Sequence, residues 1–213
     1  MEQGPRQPVP VFPLPGLVLF PHVAVPLHIF ELRYRTMVRD ALSAERMIAL
    51  ALLKPGWEQD YAGSPEFHPL ACLARIENVE WLPNDCYDLL VRGVSRVRLA
   101  RITREYPYRA ASVELRPQHP YPEDDPLVRI ERKALLDACQ RLAAARGAEP
   151  PGNELAYEAL VNAVCAGSPM SPAEKLALLE LDSVIERGRQ AREWLERRMR
   201  AGGERAPGSG EHN

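Results

Sequence analysis

The chain has 213 residues, of which 46% are hydrophobic and 26% charged, and its formal net charge is −2 at pH 7. This composition is typical of a soluble globular protein with one or two domains and a substantial core. A net charge so close to zero excludes a global electrostatic attraction to nucleic acid or to an anionic membrane. No apolar run approaches the ~20 residues of a membrane span, and the first ten residues lack the features of a signal peptide. We therefore expect a cytoplasmic protein without a membrane partner.

The four cysteines are far apart in the sequence, and none of them forms a C-x-x-C pair or has a histidine at metal-ligand spacing. We expect reduced thiols, because disulfides are rare in the cytoplasm and a free cysteine usually packs as a small hydrophobic residue. Sequence alone leaves open whether a cysteine and a histidine meet in the fold. The cysteines are Cys72, Cys86, Cys139 and Cys165.

The first structured stretch combines two short strands and one helix. Apolar residues over Val9–Leu14 and the alternation over residues 23–27 predict the strands, with their prolines at strand ends or edges. From Phe30 onward the apolar residues recur at helical spacing, so we expect Phe30 and Tyr34 to lie on the buried face of one helix.

The following segments alternate as sheet strands do. Residues 46–54, 70–82, 87–102 and 108–115 are predicted strands, and the alternation slips at Asn78 and breaks at Gly93. Such positions are typical of bulges, and a glycine within a strand also permits a close backbone approach. Long, bent antiparallel strands favour a small closed or nearly closed β-barrel.

A boundary follows at residues 117–126, a segment with four prolines and three acidic residues that cannot continue a strand or a helix. Beyond it the periodicity is helical, and Ser171-Pro172-Ala173-Glu174 has the pattern of a capping box with proline at the first helical position. The predicted organisation is a flexible lead-in over 1–8, a β-barrel over 9–117, a linker over 118–126, a helical bundle over 127–200 and a disordered tail over 201–213.

No pattern in the sequence indicates catalysis. None of the three lysines stands in a phosphate-binding G-x-x-x-x-G-K-[ST] loop, and no H-E-x-x-H or G-x-S-x-G motif occurs in a suitable context. Ser171 and Lys175 are four residues apart, but the serine is better explained as a helix cap. We predict no catalytic, metal-binding or cofactor-binding residues.

Two surface features each have two interpretations. An arginine-rich strand that includes Arg92, Arg96 and Arg98 could offer a positive face to phosphates, or it could be a solvated sheet face beside acidic neighbours. The second interpretation is favoured. The segment 17–22 is too apolar for an ordinary exposed loop, so it either folds into the core, which is favoured, or forms an exposed apolar interaction patch.

Beyond these patterns, the beginning of the chain closely resembles the Lon substrate-binding domain, the N-terminal domain of ATP-dependent Lon proteases, which also occurs as a stand-alone bacterial protein. The resemblance continues through a second block of strands and a helical end, and it covers about residues 9 to 200. It departs at Ala71 and at residues 84–86, where glycine is usual. The residues that carry it are Phe12-Pro13-Leu14-Pro15, Leu19-Phe20-Pro21, Pro26-Leu27, Ile29-Phe30-Glu31, Arg33-Tyr34, Met37, Asp88, Gly93, Arg96, Arg98, Glu174-Lys175, Leu178-Leu179-Glu180 and Arg187.

The resemblance implies an α+β protein in which a PUA-like β-barrel precedes an α-helical bundle. It implies a non-catalytic module without the ATPase and protease parts of full-length Lon, which binds exposed apolar segments of protein substrates or of a protein partner. Such a module would act alone or as an adaptor for a protease or chaperone in proteolysis or quality control. Main-chain pairing at an open barrel edge and an apolar patch would provide the affinity. The predicted polypeptide-binding residues are Phe20, Pro21, Phe30 and Tyr34.

The alternative function is RNA binding, because PUA-like barrels bind RNA in other families. This hypothesis uses Arg92, Arg96 and Arg98, and it predicts an affinity that falls steeply with salt. We do not expect nucleic acid as the main partner, since the net charge gives it no support.

Overall fold

The computed structural model describes residues 8–61, 63–146, 152 and 154–203. The predicted lead-in and tail lie largely outside these ranges. Strands dominate the first half of the described chain and helices the second, so the predicted α+β class is confirmed. The elements are β1 (Val9–Leu14), β2 (Ala24–Ile29), α1 (Leu32–Leu42), β3 (Met47–Leu53), a short 3-10 helix (Trp57–Asp60), β4 (Phe67–Trp81), β5 (Tyr87–Arg104), β6 (Ala110–Leu115), α2 (Pro126–Arg146), α3 (Tyr157–Gly167), α4 (Pro172–Glu180) and α5 (Val184–Gly203).

The strands pair in a closed circuit that runs from β5 through β4, β3, β1 and β6 and back to β5. Only the β1–β3 pair is parallel among these strands. Strand β5 is long enough to pair with two strands along one edge. Its first part, Tyr87–Arg92, pairs with β2, and its last part, Val97–Arg104, pairs with β6. The circuit therefore forms a small five-stranded barrel, and β2 lies outside it.

The barrel interior is filled by small and β-branched side chains, as a narrow ring requires. Alanines from β3, β4 and β6 share this space with valine and leucine side chains of β1, β4 and β5. The interior cluster consists of Val9, Val11, Ala49, Ala51, Ala71, Leu73, Val97, Leu99 and Ala111.

Both irregularities predicted in the long strands are confirmed. The β4–β5 register shifts between Ile76 and Asn78, and again beside Gly93. Gly93 also meets the segment 17–22 closely, because a Cβ atom at this position would lie 2.1 Å from the carbonyl oxygen of Phe20. The backbone N–H of Gly93 donates to the carbonyl of Val23 at 2.9 Å, and its own carbonyl accepts from His22 at 2.8 Å. Only glycine allows this approach.

Helix α1 packs its apolar stripe on the outside of the barrel, where Tyr34, Met37, Val38 and Ala41 are buried. The stripe was predicted correctly except for Phe30, which is 62% exposed. Phe30 lies outside the helix because α1 begins at Leu32, after an extended N-cap residue at Glu31. Its side chain therefore does not continue the helical stripe.

The apolar segment 17–22 joins two cores, so the favoured core interpretation is confirmed. Val18 and Phe20 belong to the cluster that contains the bundle residues Leu160 and Leu179, whereas Leu19 packs in the cluster beneath α1. The segment thereby fastens the barrel to the helices.

Two buried arginines complete this junction. Arg96 of β5 donates from Nη1 to the carbonyls of Leu179 and Leu181, each at 2.9 Å, and from Nη2 to Oδ1 of Asp182 at 3.0 Å. Arg187 of α5 donates to the carbonyl of Leu181 at 2.7 Å. The carboxyl end of a helix attracts positive charge, and α4 ends at these carbonyls.

Asn162 of α3 extends the same network toward the barrel. Its Oδ1 accepts from Nη1 of Arg187 at 2.8 Å, and its Nδ2 donates to the carbonyl of Pro21 at 3.2 Å. The predicted capping box at Ser171 and Glu174 fixes the other end of α4. Helix α4 is therefore held at both ends.

Gly93→Ala is expected to lower the free energy of unfolding by about 1–3 kcal/mol, because the added methyl group meets a backbone carbonyl that has little room to move. Gly16→Ala is the matched control, since no atom lies within 4 Å of a Cβ at Gly16. Urea denaturation measures both. Equal stability of the two variants would contradict the close approach.

Hydrogen bonds from Arg116 and Arg96 lower the pKa of Asp182 below its ordinary value. The stabilisation is fully present above the unfolded-state pKa of about 3.9 and is lost as the pH falls through the lower folded-state pKa. In Asp182→Asn, the free energy of unfolding should therefore fall less than in the wild type between about pH 5 and pH 2. Denaturation curves of both proteins across this range test the prediction. Parallel pH profiles of the free energy of unfolding would show that Asp182 does not stabilise the folded state through these hydrogen bonds.

Candidate functional site

Exposed apolar side chains mark interaction surfaces, and two of the three most exposed large apolar side chains of the described residues share one groove. Leu32 is 66% exposed at the start of α1, and Tyr106 is 86% exposed in the connection between β5 and β6. Both line a groove of about 620 Å³, which we call the α1 groove. Its other lining residues include Tyr34, Thr36, Tyr108 and Arg109. This volume is sufficient for a few side chains of a bound segment.

Tyr34 forms part of the groove lining although its side chain is buried. Its ring lies 4.6 Å from that of Phe12, measured between centroids, so the core beneath the groove supports it. Burial raises the pKa of Tyr34 to about 12, which keeps the hydroxyl protonated at neutral pH. This part of the groove is therefore uncharged and firmly packed.

Arg33 and Glu31 attach the segment after the 3-10 helix to the start of α1. Arg33 donates from Nε to Glu31 at 3.0 Å and from Nη2 to the carbonyl of Tyr61 at 3.0 Å. The hydroxyl of Tyr61 donates to the other Glu31 oxygen at 2.5 Å. The charge of Arg33, which also lines the groove, is therefore neutralised by a neighbouring carboxylate.

Arg109 enters the groove from the start of β6. Its Nη1 donates to the carbonyl of Pro65 at 2.7 Å, and its guanidinium lies 4.4 Å from the ring centre of Phe67. Burial lowers the pKa of Arg109 from its ordinary value. The groove thus combines an apolar rim with one half-buried cation.

The structure separates the four residues predicted to bind polypeptide. Phe20 is 0% exposed and Pro21 is also buried, so neither presents a surface to a partner, because both pack at the junction of barrel and bundle. Tyr34 lies in the α1 groove, and Phe30 is exposed two residues before Leu32. Leu32 and Tyr106 were not predicted as site residues, although the position of Leu32 outside the helical stripe was a signal that it is exposed.

The arginines of β5 do not form a continuous positive face. Arg96 is buried in the junction with α4 and α5, and Arg92 is paired with Glu77 through bonds of 2.6 and 3.2 Å. Arg98 is well exposed but has Glu114 at 3.9 Å. The favoured interpretation of a solvated sheet face is therefore wrong for Arg96, because the bundle covers that part of β5.

The free edge of β2 is a poor template for an added strand. Among the strands that the structure describes, β2 pairs only with β5, and its central residue Pro26 has no N–H to donate. Proline within an edge strand is one of the ways in which proteins prevent edge pairing. An apolar groove therefore provides a better candidate contact surface than main-chain pairing at this edge.

The four cysteines are buried. Burial raises the pKa of the Cys139 thiol to about 11 and that of Cys165 to about 12, and it also raises the pKa of Cys72. Within the described ranges, no three His, Cys, Asp or Glu side chains come together in a way that could hold a metal ion, and no helix has the length and apolar character to cross a membrane.

Comparison with known proteins agrees with the resemblance found in the sequence. The family model for the ATP-dependent protease La (LON) substrate-binding domain matches residues 8–197. The chain belongs to this family. Membership of this family supports a role in substrate recognition. The matched residues include the α1 groove, helices α1 to α4 and most of α5.

The chain is similar to part of several much longer curated relatives. It is 25% identical over 190 residues to the Lon protease of Flavobacterium johnsoniae, a match that covers 84% of this chain and 22% of that protein. It is 26% identical over 189 residues to Lon protease 2 of Herpetosiphon aurantiacus, which covers 85% of this chain and 23% of that protein. The chain thus spans less than a quarter of the length of either relative.

Two solved structures share the fold. The Lon N-terminal domain protein from Xanthomonas campestris has a TM-score of 0.65 at 23% identity, and the match covers 88% of this chain and 98% of that one. The N-terminal domain of Mycobacterium avium complex Lon protease has a TM-score of 0.66 at 22% identity, with 89% and 98% covered.

Phe20→Ala is expected to lower the free energy of unfolding by about 3–5 kcal/mol, because it leaves a cavity where barrel and bundle meet. Phe30→Ala removes the same side chain from an exposed site and should change the free energy of unfolding by no more than about 0.5 kcal/mol. Thermal or urea denaturation of the pair measures the difference. A stable Phe20→Ala variant would show that the segment 17–22 is not part of the core.

Proposed function

We propose that this chain binds polypeptide segments that expose apolar side chains, and that the α1 groove is their contact surface. One observation carries the proposal: two large apolar side chains, Leu32 and Tyr106, stand exposed on a groove lined by the firmly packed Tyr34. Membership of the Lon substrate-binding domain family supports the polypeptide as ligand.

The affinity would come from removing apolar surface from water on both partners. Such contacts have few directional requirements, so the groove would accept many sequences that present a leucine-like or aromatic side chain. Phe30 lies close in sequence to the groove and is exposed, so it would extend the contact to a second apolar side chain of the segment. A packed groove also loses little conformational entropy on binding.

We infer a biological role in recognition, because the proposed contact uses apolar side chains and no catalytic group. The chain would recognise and hold a client without changing it, and a protease or chaperone would act on that client. It would do so either as an adaptor or as the substrate-binding part of a larger assembly, within proteolysis or quality control. The curated relatives named above are Lon proteases, which supports a proteolytic setting.

Leu32→Asp is expected to weaken polypeptide binding at least about tenfold, because a charge replaces an apolar contact at the groove rim. Aspartate in the first turn of a helix is favourable, so α1 should remain intact. Ile130→Asp is the matched control, since Ile130 of α2 is 64% exposed and lies outside the groove. Fluorescence anisotropy with a labelled, permanently unfolded polypeptide measures all three proteins.

The same titration at low and high salt, with labelled single-stranded RNA in parallel, separates the proposal from its alternative. Polypeptide binding that survives high salt and is lost only in Leu32→Asp supports it. Equal binding by the two variants would move the contact away from the groove. Salt-sensitive binding of RNA alone would overturn the proposal.

A further inference from the structure

The α1 groove contains one guanidinium that has no carboxylate within ion-pair distance among the described residues. Among the residues that the structure describes, Arg109 forms no ion pair, whereas Arg33 in the same groove is paired with Glu31 at 3.0 Å. Glu105, which also lines the groove, and Asp60 attract Arg109 at longer range, but both lie beyond ion-pair distance and are exposed to solvent. A half-buried guanidinium without an ion-pair partner loses part of its hydration, and an anion bound in the groove would offset that cost.

Most of the hydrogen-bonding capacity of Arg109 remains available. The guanidinium has five N–H donors, and one protein acceptor is present, the carbonyl of Pro65 at 2.7 Å. The ring of Phe67 lies against the guanidinium and supports it from one side. None of its nitrogens is both buried and unpaired, so the remaining donors are open to solvent or to a ligand in the groove.

Other arginines of the described chain show that this arrangement is not general. Arg187 also lacks a carboxylate partner, but it is fully buried and donates to three protein oxygens. Arg104 lies next to Asp40, at 3.7 Å, and Arg35 is paired with Asp85 at 2.8 Å. Arg109 differs from all of them because it combines a charge without an ion pair, the support of an aromatic ring and a position in an apolar groove.

We propose that Arg109 binds the free C-terminal carboxylate of a polypeptide, while the apolar side chain of that terminal residue lies in the α1 groove. This inference rests on the proposed function and specifies which part of a client the groove recognises. A planar guanidinium and a carboxylate form paired, charge-assisted hydrogen bonds that are stronger than neutral ones.

A chain terminus fits this groove better than an internal acidic residue does. In a terminal residue the carboxylate and the apolar side chain are attached to the same Cα atom, so one residue supplies both chemistries within a few ångströms. An internal aspartate or glutamate would have to be followed by a second residue for the apolar contact. The groove places its cation three residues from Tyr106, within one short stretch of chain.

The first test needs no protein variant. Three N-terminally labelled ten-residue peptides ending in leucine are titrated with the whole protein: one with a free C-terminal carboxylate, one with a C-terminal amide, and one amide with an internal glutamate. The free acid should bind about tenfold more tightly than either amide, since a charge-assisted contact is lost in both. An internal glutamate that restores full affinity would overturn the choice of the chain terminus.

Arg109→Gln and Arg109→Lys test the residue itself. The glutamine variant should bind the acid and the amide equally, whereas lysine should keep part of the preference because it retains the charge. Arg98→Gln is the control, because Arg98 is well exposed outside the groove and should leave the preference unchanged. Circular dichroism confirms that each variant is folded, and a preference that persists in folded Arg109→Gln would refute the assignment.

The outcomes also separate this inference from the proposed function. If acid and amide bind equally to the wild type and both are lost in Leu32→Asp, the groove binds polypeptides but does not read their termini. If none of the three peptides binds and the unfolded polypeptide does not bind either, the proposed function itself fails.

Discussion

The structure depends on the buried guanidinium of Arg96, which joins the barrel to the carboxyl end of α4. It leaves the β5 strand and reaches carbonyls that end the helix, together with the carboxylate of Asp182. Burying a charge is costly unless its donors are satisfied, and here Nη1 and Nη2 meet acceptors at the end of the helix, whereas Nε is buried without a partner. Arg187 approaches the same turn from α5, so two like charges donate to neighbouring carbonyls and share the carbonyl of Leu181. Because both arginines bond to the carboxyl end of α4, these hydrogen bonds fix how the barrel and the bundle pack.

That junction determines which apolar residues remain for a partner. The segment 17–22 is enclosed between Gly93 and the bundle, and Asn162 holds the carbonyl of Pro21 from the helical side. Its apolar side chains are therefore used in folding. The α1 groove is built from β1, α1 and the loops around them, with lining residues drawn only from the barrel half of the chain. The bundle stabilises the fold without lining the groove, so the residues that join barrel and bundle differ from those of the proposed recognition.

Local chemistry was predictable from the sequence, whereas side-chain exposure was less so. The register shift at Asn78, the close approach at Gly93 and the capping box at Ser171 each follow from neighbouring residues, and the structure contains all three. Phe20 and Phe30 were harder, because both stand in apolar stretches and their exposure depends on distant elements. The bundle covers Phe20, and the late start of α1 exposes Phe30. Arg96 shows the same limit, since strand alternation contains no information about a helix that packs on it about 80 residues later.

The closed strand circuit limits how this fold can hold an extended polypeptide. Strands β1, β3, β4, β5 and β6 form the ring. The extra strand β2 has Pro26 at the centre of its free edge. A mode based on main-chain pairing would be tolerant of sequence but would need an uninterrupted edge. Side-chain capture in a groove has the opposite character: it needs no free backbone, and it discriminates through the size and charge of one or two residues. With an apolar rim and a single unmatched guanidinium, the α1 groove favours a ligand that presents an apolar group and an anion together. The selectivity of the proposed binding would then depend on the end of a client chain more than on its internal sequence.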